Sequence, residues 1–187
     1  LCMVTIMWIC ARANPNSVNK YFKKLQLVSS GIMALSHGSN DAEKTMGIIT
    51  LGLLISGMIP SFHVPFWVIF VCALSMAIGI SLGGWQLIRT LGSRFYKIRP
   101  VHGFASQFAS TAVILSASLL GAPVSTTQVV STAIMGVGAA ERVSKVRWGV
   151  AINIGFAWLY TIPLTALLAA GIYAFMKFTI PMITQLL

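Results

Sequence analysis

Acidic side chains are almost absent from this chain of 187 residues. Asp and Glu together number 3, against 13 Lys and Arg, and charged residues make up 9% of the sequence. With 57% hydrophobic residues and a mean hydropathy of +0.85, the composition excludes an ordinary soluble domain and predicts a membrane protein. The shortage of carboxylates also argues against an enzyme, because no second carboxylate is available at a matching depth to form a catalytic dyad.

Cysteine pairs and long basic tracts are also lacking. Cys2, Cys10 and Cys72 lie in apolar segments without CxxC spacing, which argues against a disulfide framework and against a cysteine metal site. The net charge of +10 comes from short basic clusters between long apolar runs, as in the cytoplasmic loops of a membrane protein. We therefore predict no nucleic-acid partner and no cofactor, and a lipid bilayer as the surrounding medium.

The apolar runs predict an all-α, polytopic bundle of transmembrane helices. Two runs, 66–88 and 148–175, are long enough to span a bilayer, and Pro163 is expected to interrupt the second. The shorter runs 104–120 and 124–140 form a pair that is either a full hairpin with its turn outside or a re-entrant hairpin with its turn at depth. The positive-inside rule predicts cytoplasmic loops at 12–24, 89–99 and 141–147, and an outer turn at 60–65.

A polar stretch, 36–47, divides the apolar segment 25–59. Because every backbone group in hydrocarbon needs a partner, such a stretch predicts a helix broken at 37–41 and facing a cavity. Gly38 would relax the backbone, whereas Ser39 and Asn40 favour caps and turns. Asp41 would then offer a hard oxygen to a cation, since a charge near the bilayer centre is costly and usually functional.

A second polar stretch follows Pro123 and places three hydroxyls, those of Ser125, Thr126 and Thr127, where a new helix would begin. The alternative is that these hydroxyls only bond to their own helix as packing groups. His63 and His102 are expected to lie solvated in loops.

The segments 34–47, 121–128 and 133–138 together resemble the second half of the inorganic phosphate transporter (PiT) family, the low-affinity phosphate permeases. This resemblance implies two inverted repeats, of which the chain would hold the C-terminal one. It would then comprise a partial helix and cytoplasmic loop (1–24) and the repeat itself (25–187) in one transmembrane domain. It also implies Na⁺- or H⁺-coupled symport of inorganic phosphate across the cell membrane by alternating access.

Carried over by motif, the resemblance implies that Asn40 and Asp41 are cation ligands, for Na⁺ if transport is sodium-coupled. It also implies that the hydroxyls after Pro123 bind phosphate and cation, and that Gly38 and Ser39 offer backbone amides. Gln128 stands where the family commonly has His, and Gln107 where it commonly has Glu. The candidate binding residues are Gly38, Ser39, Asn40, Asp41, Ser125, Thr126, Thr127 and Gln128, with His37, Glu43, Lys44 and Gln107 as secondary candidates.

Three alternatives stay open at this point. Sulfate or another oxyanion could replace phosphate as cargo, and an ion channel could line a continuous path with the same polar residues. A homodimer is a further possible assembly. The chain begins within an apolar run and has no initiator Met, so we expect a piece of a longer transporter that does not transport without its N-terminal repeat.

Overall fold

A computed structural model describes residues 1–89 and 99–184, and these ranges are helical without any strand. The all-α class predicted from the sequence is confirmed. The helices are α1 (Cys2–Ile9), α2 (Pro15–Ile55), α3 (Phe66–Arg89), α4 (Pro100–Leu119), α5 (Thr126–Glu141) and α6 (Trp148–Thr184), with a short 3₁₀ turn at Val143–Lys145. The chain divides into two units, 1–147 and 148–187, the second of which contains α6.

Helix α2 is the long element of the first unit, with 41 residues and a length of about 60 Å. The side chain of Asn14 caps its first turn by accepting a hydrogen bond from the backbone N–H of Asn16 at 3.0 Å, and Pro15 occupies the first helical position. The prediction of a loop at 12–24 is therefore wrong from Pro15 onwards, where the basic residues lie on a helix, whereas their cytoplasmic location stays a prediction.

The predicted break at 37–41 is also wrong, since α2 runs through it without interruption. One Gly inside a long helix costs only about 1 kcal/mol, which neighbouring packing offsets. Ser36 bonds back to the carbonyl of Ile32 at 2.9 Å, and Asn40 directs its amide to a neighbouring segment. These polar side chains are thus satisfied without unwinding the backbone.

The helix ends instead at Ile55, and Gly57, two residues further on, has a φ of +75° in the left-handed region. Met58 N–H donates to the carbonyl of Leu53 at 3.0 Å and Gly57 N–H to that of Leu54 at 3.1 Å, which is a Schellman motif. The following loop agrees with the turn predicted at 60–65, and His63 is exposed there as expected.

Helices α4 and α5 form the predicted pair and pack antiparallel, joined by residues 120–125. A second Schellman motif ends α4: Gly121 has a φ of +67°, and Ala122 N–H donates to the carbonyl of Ala117 at 2.9 Å. Pro123 cannot continue a helix, and Ser125 then caps α5 by accepting from Gln128 N–H at 3.4 Å. We call residues 120–125 the hairpin tip. Helix α4 packs more extensively against α2 than against any other helix, so α2 supports the hairpin along its side.

The open end of the hairpin holds a buried histidine. His102, expected in a solvated loop, lies in the first turn of α4 with 3% of its side chain exposed. Its Nδ1 accepts from the backbone N–H of Arg99 at 3.2 Å, and its Nε2 lies 3.4 Å from Oε2 of Glu141 near the end of α5. The imidazole thus caps one helix and joins it to the other.

Two of the described helices are long and apolar enough to cross a membrane, over Phe66–Trp85 and Trp148–Lys177. They match the predicted spans 66–88 and 148–175. The predicted interruption at Pro163 is wrong, since α6 is continuous. Prolines are tolerated within transmembrane helices. Most of the predicted cytoplasmic loop 89–99, residues 90–98, lies outside the described residues.

Candidate functional site

The continuity of α2 places three titratable side chains on one face. His37 and Asp41 are four residues apart, and Asp41 and Lys44 three apart, so each pair meets on the helix surface. His37 Nε2 lies 3.1 Å from Asp41 Oδ2, and Lys44 Nζ lies 3.0 Å from Asp41 Oδ1. Both oxygens of the carboxylate are therefore paired within its own helix.

Thr126, the first residue of α5, joins this row. It is buried, and its Oγ1 donates to Asp41 Oδ2 at 3.0 Å and lies 3.2 Å from His37 Nε2. Because the hydroxyl proton goes to the carboxylate, which can only accept, His37 Nε2 must carry a proton and donate. The histidine, the threonine and the carboxylate thus form a closed triangle that connects the two polar stretches of the sequence.

The hairpin tip is held at a second point. The backbone carbonyl of Val124 accepts from Asn40 Nδ2 at 3.1 Å and also from Lys44 Nζ. Asn40 Nδ2 lies 3.1 Å from Asp41 Oδ1 as well, so the carboxylate oxygen and the carbonyl oxygen share the same two donors. We call this cluster, His37, Asn40, Asp41, Lys44, Val124 and Thr126, the Asp41 cluster.

A cavity of about 240 Å³ adjoins the cluster at the hairpin tip. Small-molecule pockets begin at roughly 300 Å³, so this space suits an inorganic ion better than an organic ligand. Its walls combine polar residues of α2 with the end of α4 and the tip, namely Asn40, Glu43, Lys44, Ser118, Gly121, Ala122 and Pro123.

The other candidates divide into those near the cluster and those outside it. Ser125 and Gln128 are exposed at the start of α5, and Thr127 is half-buried there. Gly38 and Ser39 lie inside α2, where the helical pattern uses their backbone N–H groups, so the amides expected from a broken helix are not free.

Gln107 lies away from the cluster, on α4, where its Oε1 accepts a hydrogen bond from Ser29 Oγ of α2. It lines a separate cavity of about 200 Å³ together with Lys23, Gln26, Leu27 and Ser30. The structure thus does not bring Gln107 together with Asp41.

Two members of the cluster carry more of its geometry than the sequence suggested. Lys44 contacts both Oδ1 of Asp41 and the backbone carbonyl oxygen of Val124, although the sequence made it only a secondary candidate. Val124 contributes through that backbone carbonyl. The spacing of four and then three residues between His37, Asp41 and Lys44 places all three on one face of a continuous helix. It did not identify them because the polar stretch predicted a break in that helix. No side-chain pattern could have singled out a carbonyl.

An all-helical protein with spanning helices and a polar cluster between a long helix and a hairpin tip has the construction of a membrane transporter. Residues 3–169 match the model of the Phosphate transporter family. The chain belongs to this family, and the resemblance seen in the sequence is confirmed.

Similar proteins carry the same description. A probable low-affinity inorganic phosphate transporter of Rhizobium meliloti (strain 1021) is 44% identical over 174 residues, covering 92% of this chain and 52% of the relative. Another from Bacillus subtilis (strain 168) is 42% identical over 162 residues, covering 86% and 49%. The chain therefore spans about half the length of these relatives.

A solved structure described as "The sodium-dependent phosphate transporter" is similar in fold and sequence. It superposes with a TM-score of 0.69 at 30% identity, over 79% of this chain and 38% of that one.

Proposed function

We propose that the transporter to which this chain contributes is a cation-coupled symporter of inorganic phosphate that works by alternating access in the cell membrane. The observation that carries the proposal is the bond between Thr126 and Asp41, because it joins the two polar stretches at one place beside an ion-sized cavity. Membership of the phosphate transporter family supports phosphate as the cargo.

Phosphate is proposed to bind at the start of α5. The first N–H groups of a helix have no partners within it and carry the positive end of its dipole, so they favour an anion. The side chains of the same turn add further hydrogen-bond donors, namely the hydroxyls of Ser125 and Thr127 and the side-chain amide of Gln128. The ammonium of Lys44, on the wall of the adjoining cavity, adds positive charge.

Cation charge is proposed to be held at Asp41 and Asn40. A carboxylate with amide and carbonyl oxygens nearby is the ligand set that a hard cation prefers. The coupling ion is Na⁺ or a proton; the name of the similar solved structure favours Na⁺. If Na⁺ binds between Asp41 and Val124, it must first displace Lys44.

The position of Asp41 along α2 supports a site at depth. It lies 17 residues after Lys24, the last basic residue before the apolar stretch, and 14 before Ile55, which correspond to about 26 Å and 21 Å of helix. The hairpin tip meets α2 near the middle of that stretch, as expected of a re-entrant hairpin. We infer that the open end, where Arg99 and Arg142 lie, faces the cytoplasm and that the other repeat corresponds to the part of the relatives' length that this chain does not span.

The test is uptake of radiolabelled phosphate by the full-length transporter in proteoliposomes, under separate Na⁺ and proton gradients and with sulfate as competitor. We expect saturable uptake that needs one of the gradients and is not inhibited by equimolar sulfate. Uptake indifferent to both gradients would contradict symport, and equal competition by sulfate would indicate a general oxyanion permease.

Thr126 provides a variant with a matched control. Thr126→Val keeps the shape but removes the hydroxyl that donates to Asp41, and we expect phosphate uptake to fall about tenfold, as for loss of a hydrogen bond to a charged group. Thr132→Val makes the same change on α5 at an exposed position whose hydroxyl bonds only to the carbonyls of Gln128 and Val129. Equal uptake by the two variants would show that the contact between the polar stretches is not functional.

A further inference from the structure

Lys44 occupies the position in which a coupling cation would neutralise Asp41. Its Nζ lies 3.0 Å from Asp41 Oδ1 and donates to the carbonyl of Val124. A carboxylate oxygen and a backbone carbonyl of a non-helical segment are the oxygens that bind metal cations at the broken helices of transporters. Here these oxygens surround an ammonium group.

The Val124 carbonyl is available for this purpose because of its place in the chain. Val124 precedes the cap of α5, and the first helical bond of α5 runs from Val129 N–H to the carbonyl of Ser125, one residue further on. The helix therefore makes no demand on the Val124 oxygen, which takes its donors from Asn40 and Lys44 of α2.

We propose that Lys44 is a tethered counter-cation: its ammonium takes the place of a transported cation at the Asp41 cluster, so this repeat neutralises its carboxylate without consuming a coupling ion. The inference rests on phosphate symport as proposed above but replaces its cation assignment in this repeat: the charge held at Asp41 is that of Lys44, and the coupling ion binds elsewhere in the transporter. It concerns the number of ions that travel with each phosphate. A second positive charge cannot share the same two oxygens, because the two cations would repel each other at contact distance. An ammonium on a side chain also stays with the protein when the site opens.

The proposal makes Lys44 a determinant of ion stoichiometry. Its removal leaves a carboxylate oxygen and a carbonyl oxygen without a cation, and this pair then becomes a site for Na⁺. The test compares Lys44→Met, which keeps the length of the side chain without its charge, with Lys44→Arg, which keeps the charge. Lys20→Met is the matched control, because Lys20 is an exposed residue of the same helix outside the cluster.

The transport experiment measures the ratio of ²²Na⁺ to ³²P uptake by the full-length transporter in proteoliposomes. We expect Lys44→Met to gain about one Na⁺ per phosphate and to lose about tenfold of its uptake when Na⁺ is replaced by choline. Lys44→Arg and Lys20→Met should keep the wild-type ratio. An unchanged ratio in an active Lys44→Met variant would overturn the proposal.

A binding experiment without phosphate separates this inference from the proposed function. Thermal unfolding of the purified transporter in detergent is followed in NaCl and in choline chloride, for wild type, Lys44→Met and the double variant Asp41→Asn/Lys44→Met. We expect extra stabilisation by Na⁺ in Lys44→Met and its loss in the double variant. A folded Lys44→Met protein without that extra response would refute the tethered cation, whether or not the wild type transports phosphate.

A comparison of wild type with Asp41→Asn tests the proposal without relying on the folding of Lys44→Met. If Lys44 holds the site, Asp41→Asn alone should leave the Na⁺ response of the unfolding temperature unchanged. A wild-type response that Asp41→Asn abolishes would mean that Na⁺ binds at Asp41 with Lys44 in place, which contradicts the proposal.

Discussion

A histidine–carboxylate pair lies near each end of the α4–α5 hairpin, one on α2 beside the tip and one within the hairpin at its open end, and the two pairs differ in exposure and in their other partners. Near the tip, His37 and Asp41 are 3.1 Å apart with exposed fractions of 31% and 26%. At the open end, His102 and Glu141 are 3.4 Å apart, and His102 is only 3% exposed. A histidine and a carboxylate thus meet beside a cavity at both ends, of about 240 Å³ at the tip and about 320 Å³ at the open end, where the pair also joins α4 to α5.

The partners explain the difference. Asp41 also contacts Lys44 of its own helix and Thr126 of α5, so its carboxylate links α2 to the start of α5. His102 uses its Nδ1 to cap α4, which fixes the ring and leaves Nε2 facing Glu141. We therefore expect the pair at the tip to matter for transport, and the pair with one ring nitrogen committed to a helix cap to matter for stability.

The largest expected difference between the two ends is in transport. Asp41→Asn removes the charge that holds Lys44 and Thr126, and loss of two hydrogen bonds to a charged group, at about 1.5 kcal/mol each, predicts about a hundredfold loss of phosphate uptake. Glu141→Gln, the matched change at the open end, should stay within about threefold of wild type at the same amount of folded protein. Equal losses of phosphate uptake into proteoliposomes by Asp41→Asn and Glu141→Gln would contradict a functional difference between the two ends of the hairpin.

The next difference is in stability. His102→Ala removes a buried ring, a helix cap and a partner of Glu141, and we expect the free energy of unfolding to fall by about 2–3 kcal/mol. His37→Ala, at a part-exposed position, should lower it by less than about 1 kcal/mol while reducing uptake. Thermal unfolding of both purified variants in detergent measures this, and a larger loss for His37→Ala would reverse our assignment.

The smallest expected effect concerns the backbone of the tip. Gly121→Ala places a side chain at a φ of +67°, which costs about 1–2 kcal/mol. Gly136→Ala is its control, since Gly136 lies within α5 with open space around a new methyl group and should be neutral or gain up to about 1 kcal/mol. Unfolding temperatures of the two variants give the comparison; a loss at Gly136 as large as at Gly121 would show that the left-handed turn is not the cause.

Much of the fold could be predicted from the apolar runs and from the glycine and proline residues that end helices. Pro123 and the glycine before it marked the turn between α4 and α5, and the runs after Phe66 and Trp148 marked two spanning helices. The same residue types misled at Gly38 and Pro163, because a single glycine costs only about 1 kcal/mol inside a helix and proline is tolerated within transmembrane helices. His102 was misplaced because a lone histidine beside a basic loop gives no sign of a partner 39 residues further along.

The site was predictable in its residue types but not in its connections. Asp41, Asn40 and Thr126 carried the expected signals and meet as the two motifs suggested, although their roles in binding stay predictions. Lys44 faces Asp41 only because the helix continues through 37–41, where the sequence predicted a break. The contribution of Val124 depends on a carbonyl, which every residue has.

The continuity of α2 has a mechanical consequence. One wall of the site belongs to a single continuous helix, so its residues are held at fixed helical spacings from one another. The described side-chain bonds that join this wall to the hairpin tip and the start of α5 end on only two atoms there, the carbonyl oxygen of Val124 and the hydroxyl oxygen of Thr126. Val124 and Thr126 are only two residues apart on one short segment, so a movement of the tip that breaks the contacts to one of these atoms is expected to break the contacts to the other as well, while the packing of α4 along α2 stays in place.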